Sequence, residues 1–125
     1  MNKKILVIDD DPNARFLAKK MLENDNFETF LACDGKEGYE EARKLKPDVI
    51  LLDIMMPPGE SGIEVSRKLE ATPETSGIPV IFLSSLLYDT DMKISDKLHG
   101  RYYLPKPLHV EDFRNILQNR LGFAA

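Results

Sequence analysis

The chain has 125 residues, of which 42% are hydrophobic and 30% charged, and its formal net charge is −4 at pH 7. These values fit one globular domain that buries its own core without disulfide bonds or a structural metal. The mildly acidic balance disfavours a general binder of nucleic acids or anionic membranes. The single cysteine, Cys33, excludes an internal disulfide and suits a reducing compartment.

The sequence contains no segment long and apolar enough to span a bilayer. Its apolar start, Ile5 to Ile8, runs directly into acids, unlike a signal peptide. We therefore expect a cytoplasmic protein. No repeat, low-complexity tract or linker is visible, so we expect residues 1–125 to form one domain.

Short apolar segments alternate with amphipathic helical patterns along the chain. The first segment, Lys4 to Asp9, is rich in β-branched residues and ends in acids, which indicates a strand buried on both faces. Asp11 and Pro12 then supply a helix cap and a first helical residue. The patterns that follow predict a polar edge strand (27–32), a helix opened by a capping box (34–45), a buried strand (48–53), a helix opened by a second capping box at 61–64, a buried strand (78–83), a poorly patterned helix (88–98), a short strand (101–104) and a final helix that includes 110–121.

Buried strands that alternate with amphipathic helices predict a parallel sheet covered on both faces. Right-handed crossovers leave few topologies for such a chain. We therefore predict an α/β fold with a doubly wound five-stranded parallel sheet, flavodoxin-like order 2-1-3-4-5 and helices on both faces. This order places strands 1 and 3 side by side, where ligands bind beyond the carboxyl ends of the strands.

Polar residues fall at those carboxyl ends. Asp9 and Asp10 end the first strand, Asp53 ends the third, Ser84 ends the fourth, and Lys106 follows the fifth. Three carboxylates in one crevice repel one another, and a hard divalent cation with oxygen ligands removes that repulsion. The sequence therefore predicts a site for Mg²⁺, with Mn²⁺ as an alternative.

The same residues suit phosphoryl chemistry. Lys106 can supply a positive charge, and Ser84 can donate its hydroxyl to an incoming oxygen. Together with a cation they form a receptor for a phosphoryl group, because phosphoryl transfer depends on positioning and charge neutralisation. The nucleophile must be a carboxylate, and the central Asp53 is the candidate.

Each residue alone also has an ordinary structural explanation. The run from Asp9 to Asp11 fits a strand end followed by a helix cap, and Asp53 fits a turn. Ser84 fits a capping hydroxyl, and Lys106 fits a solvated surface lysine. Their joint occurrence at successive strand ends favours the functional interpretation.

Four motifs make the sequence resemble the receiver domain of bacterial two-component response regulators. They are Val-Ile-Asp-Asp at 7–10, Asp-Ile-Met-Met-Pro at 53–57, Phe-Leu-Ser-Ser at 82–85 and Tyr-Leu-Pro-Lys-Pro at 103–107. The resemblance covers essentially the whole chain. It implies either a stand-alone, chemotaxis-regulator-like receiver or the receiver part of a longer chain.

The resemblance implies that Asp53 accepts a phosphoryl group from a phosphohistidine of a sensor histidine kinase or a histidine phosphotransfer protein. Asp10 would bind the cation directly and Asp9 mainly through a water. Asp53 and the backbone carbonyl of Met55 would complete the protein ligands. The chain would catalyse only its own phosphoryl transfer and autodephosphorylation, and would not be an enzyme towards other substrates.

The resemblance also implies how the signal is read. Ser84 would move towards the phosphoryl group, Lys106 would pair with its oxygens, and Tyr103 would change its burial on activation. The peptide bond before Pro107 would be cis. A downstream protein would bind the face formed by the fourth helix, the fifth strand and the fifth helix, and the chain would be a monomer or a phosphorylation-dependent dimer. No direct contact with nucleic acid or membrane is implied.

Three features depart from the family pattern. The loop after Asp53 is one residue longer than usual before Gly62, and the segment 98–101 replaces the usual Gly-Ala. We also expect no output domain within these 125 residues, which have room for the receiver alone. In the family, the positions of Met55 and Leu86 flank the path of the hydrolytic water. Both side chains are bulky and poor at hydrogen bonding, so we expect slow loss of the phosphoryl group.

Three other functions compete with the phosphoryl switch. A pseudo-receiver that binds partners without phosphorylation would not need the acids, Ser84 and Lys106. A flavin-binding domain of the same topology would need a phosphate-binding loop after the first strand, where this chain has acids. A hydrolase that uses an aspartyl phosphate would need a substrate pocket, for which so short a chain offers little room.

Overall fold

The computed structural model describes residues 3–54, 61–84, 102–106 and 108–123. Within these ranges the elements are β1 (Lys4–Ile8), α1 (Pro12–Asn24), β2 (Glu28–Ala32), α2 (Gly35–Leu45), β3 (Val49–Asp53), α3 (Gly62–Ala71), β4 (Val80–Ser84), β5 (Tyr102–Pro105) and α4 (Val110–Asn119). The helix expected over 88–98 lies outside the described residues, as do Met55, Leu86 and Pro107. None of the helices in the described ranges is long and apolar enough to cross a membrane.

All five strands lie in one parallel sheet with the order β2-β1-β3-β4-β5. This confirms the predicted flavodoxin-like topology. The more polar β2 lies at an edge, as its composition indicated. In the register of the sheet, Ile5 of β1 is paired with Thr29 on one side and Val49 on the other. β1 and β3 are therefore neighbours, as a binding crevice at the switch point requires.

The two faces of the sheet bury separate apolar clusters. Ile5 and Val7 of β1 contribute to the cluster that includes residues of α1 and α4. Leu6 and Ile8 contribute to the cluster that includes residues of α2 and α3. Because successive side chains of a strand point to opposite faces, a strand covered on both sides must be apolar at every position. This explains the uninterrupted apolar run in β1 and its counterpart in β3.

The helix starts largely follow the expected caps. The side chain of Asp11 accepts a hydrogen bond from the backbone N–H of Asn13 at 3.0 Å, as an N-cap residue does. Asp34 likewise accepts from the N–H of Glu37 at 2.8 Å. The Glu37 side chain, however, accepts from the N–H of Cys33 and not from that of Asp34. α2 therefore begins with a modified capping box, in which the Glu37 carboxylate accepts from Cys33, the residue before the N-cap Asp34.

The start of α3 lies directly against the end of β3. Ser61 and Glu64 form the predicted reciprocal capping box, with distances of 3.3 and 3.2 Å. The N–H of Gly62 donates to the carbonyl of Ile54 at 2.8 Å. A Cβ at Gly62 would lie only 2.1 Å from the carbonyl oxygen of Asp53. Glycine is therefore required for this approach, which fixes the backbone that carries Asp53.

We predict that Gly62→Ala destabilises the protein. The added methyl group meets backbone and not a flexible side chain, so α3 must move away from β3. The expected loss is about 1–3 kcal/mol of unfolding free energy, the usual range for overpacking. Gly77→Ala is the matched control, because its added Cβ would meet no atom within 4 Å apart from its own residue and its two chain neighbours. Urea denaturation of both variants measures the difference, and equal midpoints would contradict the steric argument.

Candidate functional site

Asp9, Asp10 and Asp53 lie together at the carboxyl edge of the sheet. One carboxylate oxygen from each lies within 4.8 Å of the others. Asp9 and Asp53 are buried, with 1% and 4% of their surface exposed, whereas Asp10 is exposed. The sequence prediction that three acids converge on one crevice is therefore confirmed, and Asp10 marks the side on which the cluster meets solvent.

Lys106, which directly follows the edge strand β5, reaches this cluster with its side chain. Its Nζ lies 2.7 Å from Asp9 Oδ2 and 3.3 Å from Asp53 Oδ2, and 21% of its side chain is exposed. Its backbone N–H donates to the carbonyl of Ser84 at 2.9 Å, which continues the β4–β5 ladder by one residue. The interpretation of Lys106 as a solvated surface lysine is therefore wrong, and its ammonium bridges two buried carboxylates.

The charge state of Lys106 follows from these contacts. Burial by itself lowers the pKa of a lysine, because the charged form loses hydration. Here the hydrogen bond to Asp9 and the charges of Asp53 and Asp9 outweigh burial, and the pKa of Lys106 is raised. Lys106 therefore carries a positive charge throughout the neutral range.

The remaining predicted site residues lie around this cluster. Ser84 is the buried last residue of β4, one residue beyond Leu83, which pairs with Asp53 in the sheet register. Tyr103 lies on β5 opposite Phe82, and 37% of its surface is exposed. Ser84 thus shares the edge with the acids, whereas Tyr103 lies three residues before Lys106, along the strand. The Met55 carbonyl, Leu86 and the peptide before Pro107 lie outside the described residues, so their roles stay predictions.

One contact at the site escaped the sequence analysis. The guanidinium of Arg15 donates from Nη1 to the backbone carbonyl of Asp9 at 2.8 Å. Asp9 Oδ1 accepts from the N–H of Asp11 at 3.0 Å. Arg15 lies in the first turns of α1, where an arginine most often faces solvent. Only the packing of α1 against the end of β1 reveals its partner.

The cluster suits a small hard cation. Its donors are carboxylate oxygens, the ligands that Mg²⁺ prefers, and an Mg–O bond is about 2.0–2.1 Å long. Ligands on opposite sides of such an ion are therefore about 4.2 Å apart. Oxygens that already lie within 4.8 Å of one another need only small side-chain rotations to meet this requirement. The residues present thus fit the ion that the sequence predicts.

A cavity of about 350 Å³ borders the same site. Asp9 and Lys106 are among its lining residues, and apolar surface comes from Leu17 and Met21 of α1 and from Leu108. The crevice therefore has more room beside it than the short chain suggested.

Residues 5–118 match the family of the response regulator receiver domain. PilH of Pseudomonas aeruginosa is 38% identical over 108 residues, which cover 86% of this chain and 88% of PilH. The DNA-binding response regulator MtrA of Mycolicibacterium smegmatis is 32% identical over 121 residues, which cover 97% of this chain and 51% of MtrA. The chain thus spans most of PilH but about half of MtrA.

Solved structures share the fold. The receiver domain of the sensor histidine kinase PA1611 from Pseudomonas aeruginosa, which has a magnesium ion in its active-site cleft, gives a TM-score of 0.83 at 25% identity, over 98% of this chain and all of that one. The chemotaxis protein CheY4 of Vibrio cholerae gives 0.80 at 24% identity, over 94% and 98% of the two chains. With the family match and the PilH similarity, these findings lead to one conclusion: the chain belongs to the receiver domains of two-component response regulators.

Proposed function

We propose that this receiver domain is a phosphorylation-activated switch in which Asp53 accepts a phosphoryl group from a phosphohistidine of a sensor kinase or phosphotransfer protein. The observation that carries the proposal is the Lys106 ammonium, which contacts buried Asp53 and Asp9 within a cluster of three acids. The Asp53 carboxylate, the proposed nucleophile, thus lies beside the positive charge of Lys106, at an edge where Asp10 is exposed to solvent.

In the proposed transfer, a carboxylate oxygen of Asp53 attacks the phosphorus atom. The P–N bond to the donor histidine breaks, and the imidazole leaves with the electron pair and takes up a proton. A new O–P bond joins the phosphoryl group to Asp53. Lys106, whose Nζ is 3.3 Å from Asp53 Oδ2, is close enough to pair with an oxygen of the arriving group. The Ser84 hydroxyl would donate to a second oxygen.

The divalent cation, Mg²⁺ or alternatively Mn²⁺, would neutralise charge on the transferred group. Asp10 would bind it directly, Asp9 through a water, and Asp53 and the Met55 carbonyl would complete the protein ligands. The support from this chain is the geometry of the three acids, and the support from a relative is the magnesium-bound cleft of the PA1611 receiver domain.

The proposed output is a change in protein binding. Phosphorylation would draw Ser84 towards the phosphoryl group and alter the burial of Tyr103, and so change the face offered to a downstream protein. The chain would turn over no substrate other than its own phosphoryl group. We propose the cytoplasm as its location.

A hydrolase is the alternative with some structural support, since the cavity beside Asp9 and Lys106 offers space for a substrate. It would release phosphate repeatedly from a small phosphate ester, whereas the switch takes up one phosphoryl group and then loses it. A pseudo-receiver would take up none.

The acceptor is tested by Asp53→Asn. Incubation of the wild type with acetyl phosphate and Mg²⁺ should add one phosphoryl group that hydroxylamine removes, as expected of an acyl phosphate. Because asparagine lacks the nucleophilic carboxylate, the variant should lose this labelling entirely. Intact-mass spectrometry measures both proteins, with exposed Asp112→Asn as the control for loss of one acid. Undiminished labelling of Asp53→Asn would place the acceptor elsewhere.

The lifetime of the phosphoryl group is the second measurable property. The family resemblance implies that Met55 and Leu86 flank the path of the hydrolytic water. Neither side chain type can hydrogen-bond a water strongly, so we expect the wild type to lose the group slowly. Met55→Asn combined with Leu86→Glu should speed the loss by giving the water a polar anchor. The decay of the phosphorylated protein in Mg²⁺, followed after removal of the donor, measures this. Equal decay in both proteins would show that these side chains do not control water access.

A further inference from the structure

The backbone that joins Asp9 to Asp10 is held by a side chain from α1. Arg15 Nη1 donates to the Asp9 carbonyl oxygen at 2.8 Å. The N–H of Arg15 donates in turn to the carbonyl of Asp11 at 3.0 Å, so the arginine is anchored in α1. In the described part of the chain, no carboxylate forms an ion pair with Arg15. Its guanidinium thus acts on a carbonyl within the acid cluster.

The carbonyl of Asp9 belongs to the peptide plane that ends at the Cα of Asp10. Because a peptide is rigid and planar, fixing this oxygen also fixes the direction in which the Asp10 backbone begins. The other contacts of Asp9 act elsewhere. Its N–H donates to Ala32, and its two carboxylate oxygens accept from Asp11 and Lys106. These contacts hold Asp9 itself, whereas the hydrogen bond from Arg15 restrains the peptide group that joins Asp9 to the exposed Asp10.

We propose that Arg15 is a positioning residue for cation binding, which acts by holding the Asp9–Asp10 peptide so that the Asp10 carboxylate stays beside Asp9 and Asp53. The proposal rests on the proposed function, in which Asp10 binds the cation directly. Arg15 itself touches neither the cation nor the phosphoryl group. Its effect passes through one backbone oxygen.

A positioning role and a purely electrostatic role of Arg15 predict opposite changes in cation affinity when Arg15 is removed. A positive guanidinium near an acid cluster repels a divalent cation, so removal of its charge should strengthen binding if Coulomb interaction alone mattered. If Arg15 positions Asp10, its removal should weaken binding, because the carboxylate must be ordered again when the cation arrives. The direction of the change in affinity therefore separates the two roles.

The test compares Arg15→Met and Arg15→Lys with the wild type. Methionine removes the charge and the donors but keeps an extended side chain, whereas lysine keeps the charge and loses the planar fork of donors. Arg114→Met is the matched control, because it removes an arginine that pairs with Asp25 on the protein surface. The chain has no tryptophan, so isothermal titration with Mg²⁺ and the electron paramagnetic resonance signal of free Mn²⁺ serve as readouts.

We expect Arg15→Met to bind both ions about tenfold more weakly, the lower end of the loss seen when an outer-shell partner is removed. Arg15→Lys should lie between Arg15→Met and the wild type, and Arg114→Met should match the wild type. Unchanged or tighter binding by Arg15→Met would overturn the proposal. So would a loss in Arg114→Met as large as that in Arg15→Met.

Two further measurements keep the outcome decisive. Urea denaturation without metal shows whether the variants fold. If Arg15→Met does not fold, Arg15→Lys becomes the deciding variant. Weaker cation binding by a folded Arg15→Lys supports the positioning role, and binding equal to that of the wild type refutes it. Asp10→Asn tests the assumption on which the proposal rests. If the wild type binds no cation, or Asp10→Asn binds as tightly as the wild type, the proposed function itself fails at this step. If Asp10→Asn loses affinity but Arg15→Met does not, only the role of Arg15 fails.

Discussion

The bridge from Lys106 to Asp9 and Asp53 is the interaction on which the rest of this site depends. Two carboxylates that are almost fully buried would be costly without a partner, because the interior cannot replace their hydration. The ammonium that compensates them comes from the end of β5, while the acids end β1 and β3. The pairing therefore requires that three separate strands finish at the same edge of the sheet. A fold in which any of these strands slipped by one residue would leave a buried charge without its partner.

Backbone hydrogen bonds that continue beyond the strands provide this alignment. Asp9 donates to Ala32, Ile54 donates to Leu83, and Lys106 donates to Ser84, each across to a neighbouring strand. The polar residues are thus positioned by the ladder and not by flexible loops, which keeps their separation small and reproducible. Gly62 adds a second constraint, because α3 can approach the backbone of Asp53 only where no side chain intervenes.

The sequence could predict the features that depend on local pattern. The apolar runs of β1 and β3 predicted buried strands, and polar residues at successive strand ends predicted the acid cluster. Features that depend on tertiary packing were not predictable in this way. Leu17 has the helical spacing of a core residue yet is 55% exposed, whereas Ala18 and Leu22 of the same helix are buried. Ile78 was expected to open a strand, but its N–H closes a turn onto Thr75, and β4 begins at Val80.

The contact from Arg15 to Asp9 also depends on tertiary packing. The net charge of the acid cluster explains why this arginine contacts a carbonyl oxygen and not a carboxylate. Three carboxylates and the Lys106 ammonium leave two formal negative charges in the cluster, which one divalent cation would balance. A second positive group in direct contact with the acids would reduce this negative charge and so weaken the binding of the divalent cation. Arg15 meets the requirement because it contacts a carbonyl oxygen: it orders the backbone of the cluster without pairing with a carboxylate. A helix that supplied its arginine to Asp10 instead would neutralise the one acid that is open to solvent.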